Sequence, residues 1–227
     1  VLGQQATAAK SNEITAIPEL LEVLLLKGCI VTIDAMGCQK KIAQKIRAQG
    51  GDYVLALKGN QETLAAEVEE AFIDADAKDY KDMLTDYYET NERGHGRVET
   101  RRYWTLGTLD GVSEAKHWKG LDMIGMVQAE RESDGKTSSE YRFYIGSIGT
   151  DAKRFANAVR SHWGVENSLH WSLDVAFRED DSRIRERNLA ENAVVLRHIA
   201  LGLLKRDKKT KLGRVRPRPN VVSRSML

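Results

Sequence analysis

The distribution of apolar residues along the 227-residue chain predicts an α/β fold. Three observations carry that expectation. Two short β-branched runs, CIVTI at 29–33 and YVLAL at 53–57, read as buried strands. Helical spacing separates and follows them. From 86 to 148 the pattern changes to the alternation of half-buried strands, as in VETRRYWTL and YRFYIGSI.

In chain order, residues 1–9 are strand-compatible but open abruptly, as though partway through a sheet. Asn12 or Thr15 can cap a helix with Pro18 in an early turn. Ile14, Ile17, Leu20, Leu21 and Leu24 give that helix one apolar face until Lys27 and Gly28 stop it. The run at 29–33 ends in Asp34. Residues 39–49 then read as a helix with Ile42, Ala43 and Ile46 inward, closed by Gly50 and Gly51. After the strand at 53–57, Lys58, Gly59 and Asn60 form a turn, and 61–79 is helical and acidic. Turn signals at 93–96 and 133–135 divide the β-rich part. Asp151 caps a long helix reaching about Leu173, a polar loop follows at 179–182, and a last apolar helix covers 189–204.

The composition narrows the function classes. A hydrophobic content of 41% suits a buried core, and no apolar run approaches the ~18 residues of a membrane span. The start shows neither the basic nor the apolar part of a signal peptide, so the cytoplasm is the expected compartment. Cys29 and Cys38 form no CxxC pair and read as reduced thiols. Nine lysines and arginines from Lys205 to Arg224 face Asp207 alone, so the small net charge of +2 conceals a basic end and an acidic remainder. Such an end either holds a polyanion without reading its sequence or is simply solvated.

Asp34 is the first candidate for chemistry, because ligand sites gather at the carboxyl ends of strands in open α/β sheets. From position alone, a cap on the residues that follow is the slightly stronger reading. HWGVENSLHWSLDVAF is the second candidate, with His162, Glu166 and His170 at i, i+4 and i+8 on one helix face. Eight residues rise about 12 Å, too far for one ion to touch both histidines. Glu166 can therefore share an ion with one histidine, or meet Asp34 while the histidines touch DNA backbone. Alternatively, Trp163, Leu169, Leu173 and Phe177 pack as core. Distant carboxylates suit phosphodiester chemistry, in which two Mg²⁺ ions about 3.5–4 Å apart activate the nucleophile and stabilise the leaving oxygen.

KSNEITAIPELL, TIDAMGCQKKIAQKI, DYVLALKGNQ, RSHWGVENSLHWSLDVAFRED and ENAVVLRHIALGLLK, in this order, closely resemble the H-repeat-associated transposases of Rhs elements. The resemblance spans nearly the whole chain. It implies a ribonuclease-H-like fold with an Asp, Asp, Glu catalytic set, incomplete at the N-terminus, with a β-rich insertion before the glutamate-bearing helix. The expected divisions are 1–80 and 150–205 for the core, 81–149 for the insertion and 206–227 for a basic tail. Asp34 then corresponds to the second aspartate and Glu166 to the glutamate, both holding Mg²⁺ or Mn²⁺. The family's first aspartate has no counterpart here, so a truncated and inactive form is expected.

A wider related group carries Arg, Glu and Lys where this chain has His162, Glu166 and Leu173, so only the glutamate is kept. Lys58, Asn60, Arg160, His162, Trp163, Asn167 and His170 are the candidate DNA contacts. The implied partners are the DNA ends of an insertion element and a second copy of the chain. A non-catalytic DNA-binding remnant, or a metal-dependent nuclease of the same fold, remains as an alternative.

Overall fold

A six-stranded sheet organises the chain as far as Trp163. The computed structural model describes residues 13–94, 97–133, 135–165, 171–178 and 181–206. Its elements are α1 (Glu13–Glu22), β1 (Ile30–Ile33), α2 (Lys40–Ala48), β2 (Asp52–Leu57) and α3 (Glu62–Ala77). There follow β3 (Thr85–Gly94), β4 (Arg97–Leu106), β5 (Met123–Ser133), β6 (Lys136–Gly146), α4 (Ala152–Val165), α5 (Trp171–Phe177) and α6 (Arg187–Arg206). Residues 1–9, the polar loop's Glu179 and Asp180, and the end beyond Arg206 lie outside the described residues.

The strand order is β1-β2-β6-β5-β4-β3. Only β1 and β2 run parallel, with Ile33 opposite Leu55. The other four pairings are antiparallel, so the fold is mixed α/β. The β-rich stretch joins the same sheet as the two short strands, because β6 returns to lie beside β2 with Phe143 opposite Leu57. Hairpin connections supply this part of the sheet, and hairpins make antiparallel neighbours.

The period-two alternation of β2 divides the core between two faces. Tyr53, Leu55 and Leu57 pack with Ile42, Ile46, Leu64, Val68 and Phe72 beneath α2 and α3. Val54 points the other way, into a cluster with Tyr103, Val127, Tyr144 and Phe155 beneath α4. Ile42, Ala43 and Ile46 form the inward face expected of α2. The chain leaves that helix through Gly50 at φ +74°, a conformation that favours glycine after a helix end. Gly125 on β5 is glycine for a different reason: a Cβ there would sit 2.6 Å from the ring of Phe155.

One departure from the sequence reading concerns helix length. α1 ends at Glu22, leaving Leu24 half-buried beyond it and Leu25 fully exposed. α4 is described to Val165 and α5 from Trp171, both helical as expected, and residues 166–170 between them lie outside the described residues. The chain from Gly164 onward forms a second unit. Within it, Leu173 of α5 and Leu201 of α6 are buried, while α6 exposes Leu196 and Leu203. None of the described helices is long and apolar enough to cross a membrane.

Candidate functional site

Because β1 and β2 are parallel, their carboxyl ends open on the same edge of the sheet. Asp34 follows β1 with extended backbone at φ −67° and ψ 178° and caps the 3-10 turn Ala35–Gly37. Its Oδ1 accepts the Gly37 amide at 3.3 Å, so the capping reading describes what the carboxylate does in the chain. A carboxylate has about four lone-pair sites, and one amide leaves room for a further ligand. The side chain is solvent-exposed.

The loop after β2 is tied to the loop after β1. Asn60 donates through Nδ2 to the Ala35 carbonyl, and Gln61 donates through Nε2 to the Cys38 carbonyl at 3.0 Å. Lys58 is exposed beside them. Cys38 is buried, and burial pushes its thiol up to about 12, which removes it as a nucleophile.

α4 closes on this edge from the other face. Ile30 packs with the cluster beneath α4, and Thr32, two residues further along β1, places Oγ1 3.3 Å from Nδ1 of His162. Trp163 packs against the same cluster, 6.5 Å from the His162 ring and nearly perpendicular to it. The Arg142 guanidinium lies 4.4 Å above the Trp163 ring. Arg142 also donates to Glu140 through Nε at 2.8 Å and Nη2 at 3.1 Å, a hydrogen-bonded pair that holds the Glu140 carboxyl below its ordinary range. Arg160 reaches β3, where Nη2 donates to both oxygens of Glu92 at 2.8 and 3.1 Å.

The structure therefore brings Asp34, Lys58 and Asn60 to one edge and ties His162 to the strand that ends at Asp34. Glu166, Asn167 and His170 lie outside the described residues. Among the described residues no group of three or more His, Cys, Asp or Glu side chains could hold a metal ion. Two contributors were missed in the sequence. Thr32 had a signal, a polar residue in an otherwise apolar IVTI strand. Arg142 had a weaker one: alternation in YRFYIG puts it on the face of Tyr144, but nothing there indicates a tryptophan above it.

Known proteins resemble this chain over most of its length. "H repeat-associated putative transposase YhhI" of Escherichia coli strain K12 is 45% identical over 218 residues, covering 94% of this chain and 57% of the relative. "Putative transposase YncI" of E. coli O157:H7 is 46% identical over 225 residues, 97% of this chain and 57% of that protein. The "Uncharacterized protein in dhlA 3'region" of Xanthobacter autotrophicus is 42% identical over 151 residues. The chain thus spans about half the length of these curated relatives. The model of the transposase DDE domain family matches residues 1–203, and the chain belongs to that family.

Proposed function

We propose that the protein acts in DNA transposition, breaking and joining strands at the ends of an insertion element by metal-dependent phosphoryl transfer. Asp34 and Glu166 are the metal ligands in this reading. The observation that carries it is the Thr32–His162 contact, which ties α4 to β1 two residues before Asp34. The backbone at Asp34 is still extended, so strand alternation carries that residue to the side of the sheet on which α4 lies. Glu166 follows Val165 in the chain, four positions beyond His162.

Asp34 offers hard oxygen donors at a solvent-open strand end, which suits Mg²⁺ or Mn²⁺. When bound, such ions supply a nucleophilic oxygen and neutralise charge on the transferring phosphoryl group. Around them, Lys58 brings an exposed cation to the edge and Asn60 fixes the loop that carries Asp34. His162 and Trp163 hold the end of α4 through Thr32 and Arg142. In this reading Lys58, Asn60, Arg160, His162, Trp163, Asn167 and His170 meet the DNA. The ribonuclease-H-like arrangement and the 81–149 insertion belong to the same proposal. A two-ion site usually needs at least three carboxylates, and this reading assigns two of them.

The test completes the chain with the part of the YhhI relative that it does not span. That protein is assayed for nicking and for strand transfer on element-end DNA. Mg²⁺-dependent nicking and joined product are expected, with Asp34→Asn and Glu166→Gln each lowering both by at least about a hundredfold. Full activity in either variant overturns the assignment. Nicking without joined product reassigns the protein as a nuclease.

A further inference from the structure

Arg160 is engaged by Glu92, and Glu92 belongs to a charged stripe that runs across β3, β4 and β5 on one face of the sheet. Glu92 stands opposite Glu99, and Glu99 stands opposite Arg131, so all three project from that face. Arg101, two residues along β4 from Glu99, projects with them. Arg101 bonds Glu99 at 2.6 Å and Glu92 at 3.3 Å, and Arg131 bonds Glu99 at 3.1 Å. Three guanidiniums therefore surround two carboxylates.

The two carboxylates differ in what can replace them. Glu99 is 7% exposed and holds Arg101 and Arg131 in fixed directions. Glu92 has half its side chain in solvent, as has Arg131, and Arg160 is 40% exposed. A phosphodiester carries the same single charge and offers the same kind of oxygen acceptors as a carboxylate. Two interstrand steps of ~4.8 Å spread the stripe over about 10 Å, and one DNA strand presents a phosphate every ~3.4 Å of axis.

We propose that Arg160, Arg101 and Arg131 form an arginine stripe that binds the backbone of duplex DNA, with Glu92 occupying the place of a phosphate until DNA displaces it. This rests on the reading of the protein as one that handles DNA, and it extends the contacts from Arg160 across β4 and β5. Buried Glu99 acts as the anchor for both Arg131, with half its side chain in solvent, and Arg101, 17% exposed while Glu92 is in place. The opposite face supplies matched controls. Arg102 there bonds Glu89 at 3.0 Å and Glu130 at 2.8 Å, on the same strands and with the same charges.

The experiment measures binding of a labelled duplex by the full chain across a salt series, with melting temperatures confirming that each variant folds. Glu92→Gln is expected to tighten binding by about two- to fivefold at ~0.1 M salt, the release of an exposed ion pair. Arg131→Gln should reduce the slope of log affinity against log salt by about 0.9, one phosphate contact. Glu89→Gln and Arg102→Gln should leave affinity and slope unchanged. Equal effects on the two faces would show net charge alone at work and overturn the stripe, as would no effect from Glu92→Gln or Arg131→Gln. If the unaltered chain binds no duplex even at low salt, the DNA-handling reading itself fails and the stripe with it.

Discussion

Cys38 is enclosed behind the loop that follows Asp34, while Cys29 is exposed, with Sγ 3.7 Å from the Leu25 carbonyl. A thiol reagent at pH 8 should label one cysteine in the native protein and two after denaturation. Rapid labelling of both in the native state would contradict the burial of Cys38. Its folded pKa is raised by burial from 9.0 to about 12. The stabilisation linked to that proton is therefore complete below pH 9 and lost as the pH climbs towards 12. Gly125 makes a steric statement of the same local kind. Gly125→Ala forces the Phe155 ring aside in a closed cluster and should cost about 1–3 kcal/mol, measurable by chemical denaturation. An unchanged midpoint would mean that the ring has room to move.

α4 is capped twice, once by its own segment and once from the sheet. Asp151 accepts the Arg154 amide through Oδ1 at 2.8 Å, and Asp86 of β3 accepts the Ala152 amide through Oδ2 at 2.8 Å. Asp86→Ala and Asp151→Ala should each destabilise the protein by about 1 kcal/mol, read as a lowered melting temperature. If Asp86→Ala has no effect, β3 does not hold the helix start. The pair also shows what the sequence made legible. Asp151 stands directly before an amphipathic run, so a local rule finds it. Asp86 acts across 66 positions, and no local rule reaches that far. The same holds for the strands: alternation located the β-rich stretch, but pairing β6 with β2 is a tertiary choice that local pattern does not encode. At the candidate site, Asp34 was legible from its place after a β-branched run. The ring contact between Arg142 and Trp163 joins a strand and a helix, and no local pattern encodes the register that brings them together.

Across the whole sheet, protection from solvent is uneven. β2 and β6 meet only from Phe143 to Gly146, and there Tyr144, Ile145 and Gly146 are all buried. The remainder of β6, Lys136 to Tyr141, is exposed, and its hairpin partners run out with it. Amide exchange should be slowest in β2, in β5 from Met123 to Val127 and in the last residues of β6, and fastest at the hairpin ends. Uniform exchange along β5 and β6 would contradict this. Beyond the core, the hairpin ends have little hydrocarbon to hide and are braced by the more exposed pairs of Arg102 with Glu89 and with Glu130. Coulomb attraction of this kind reaches about 10 Å in 0.1 M electrolyte and about 3 Å in 1 M. The hairpin ends should therefore loosen in concentrated salt while their root beside β2 stays firm, so ionic strength sets how far fraying travels along β5 and β6.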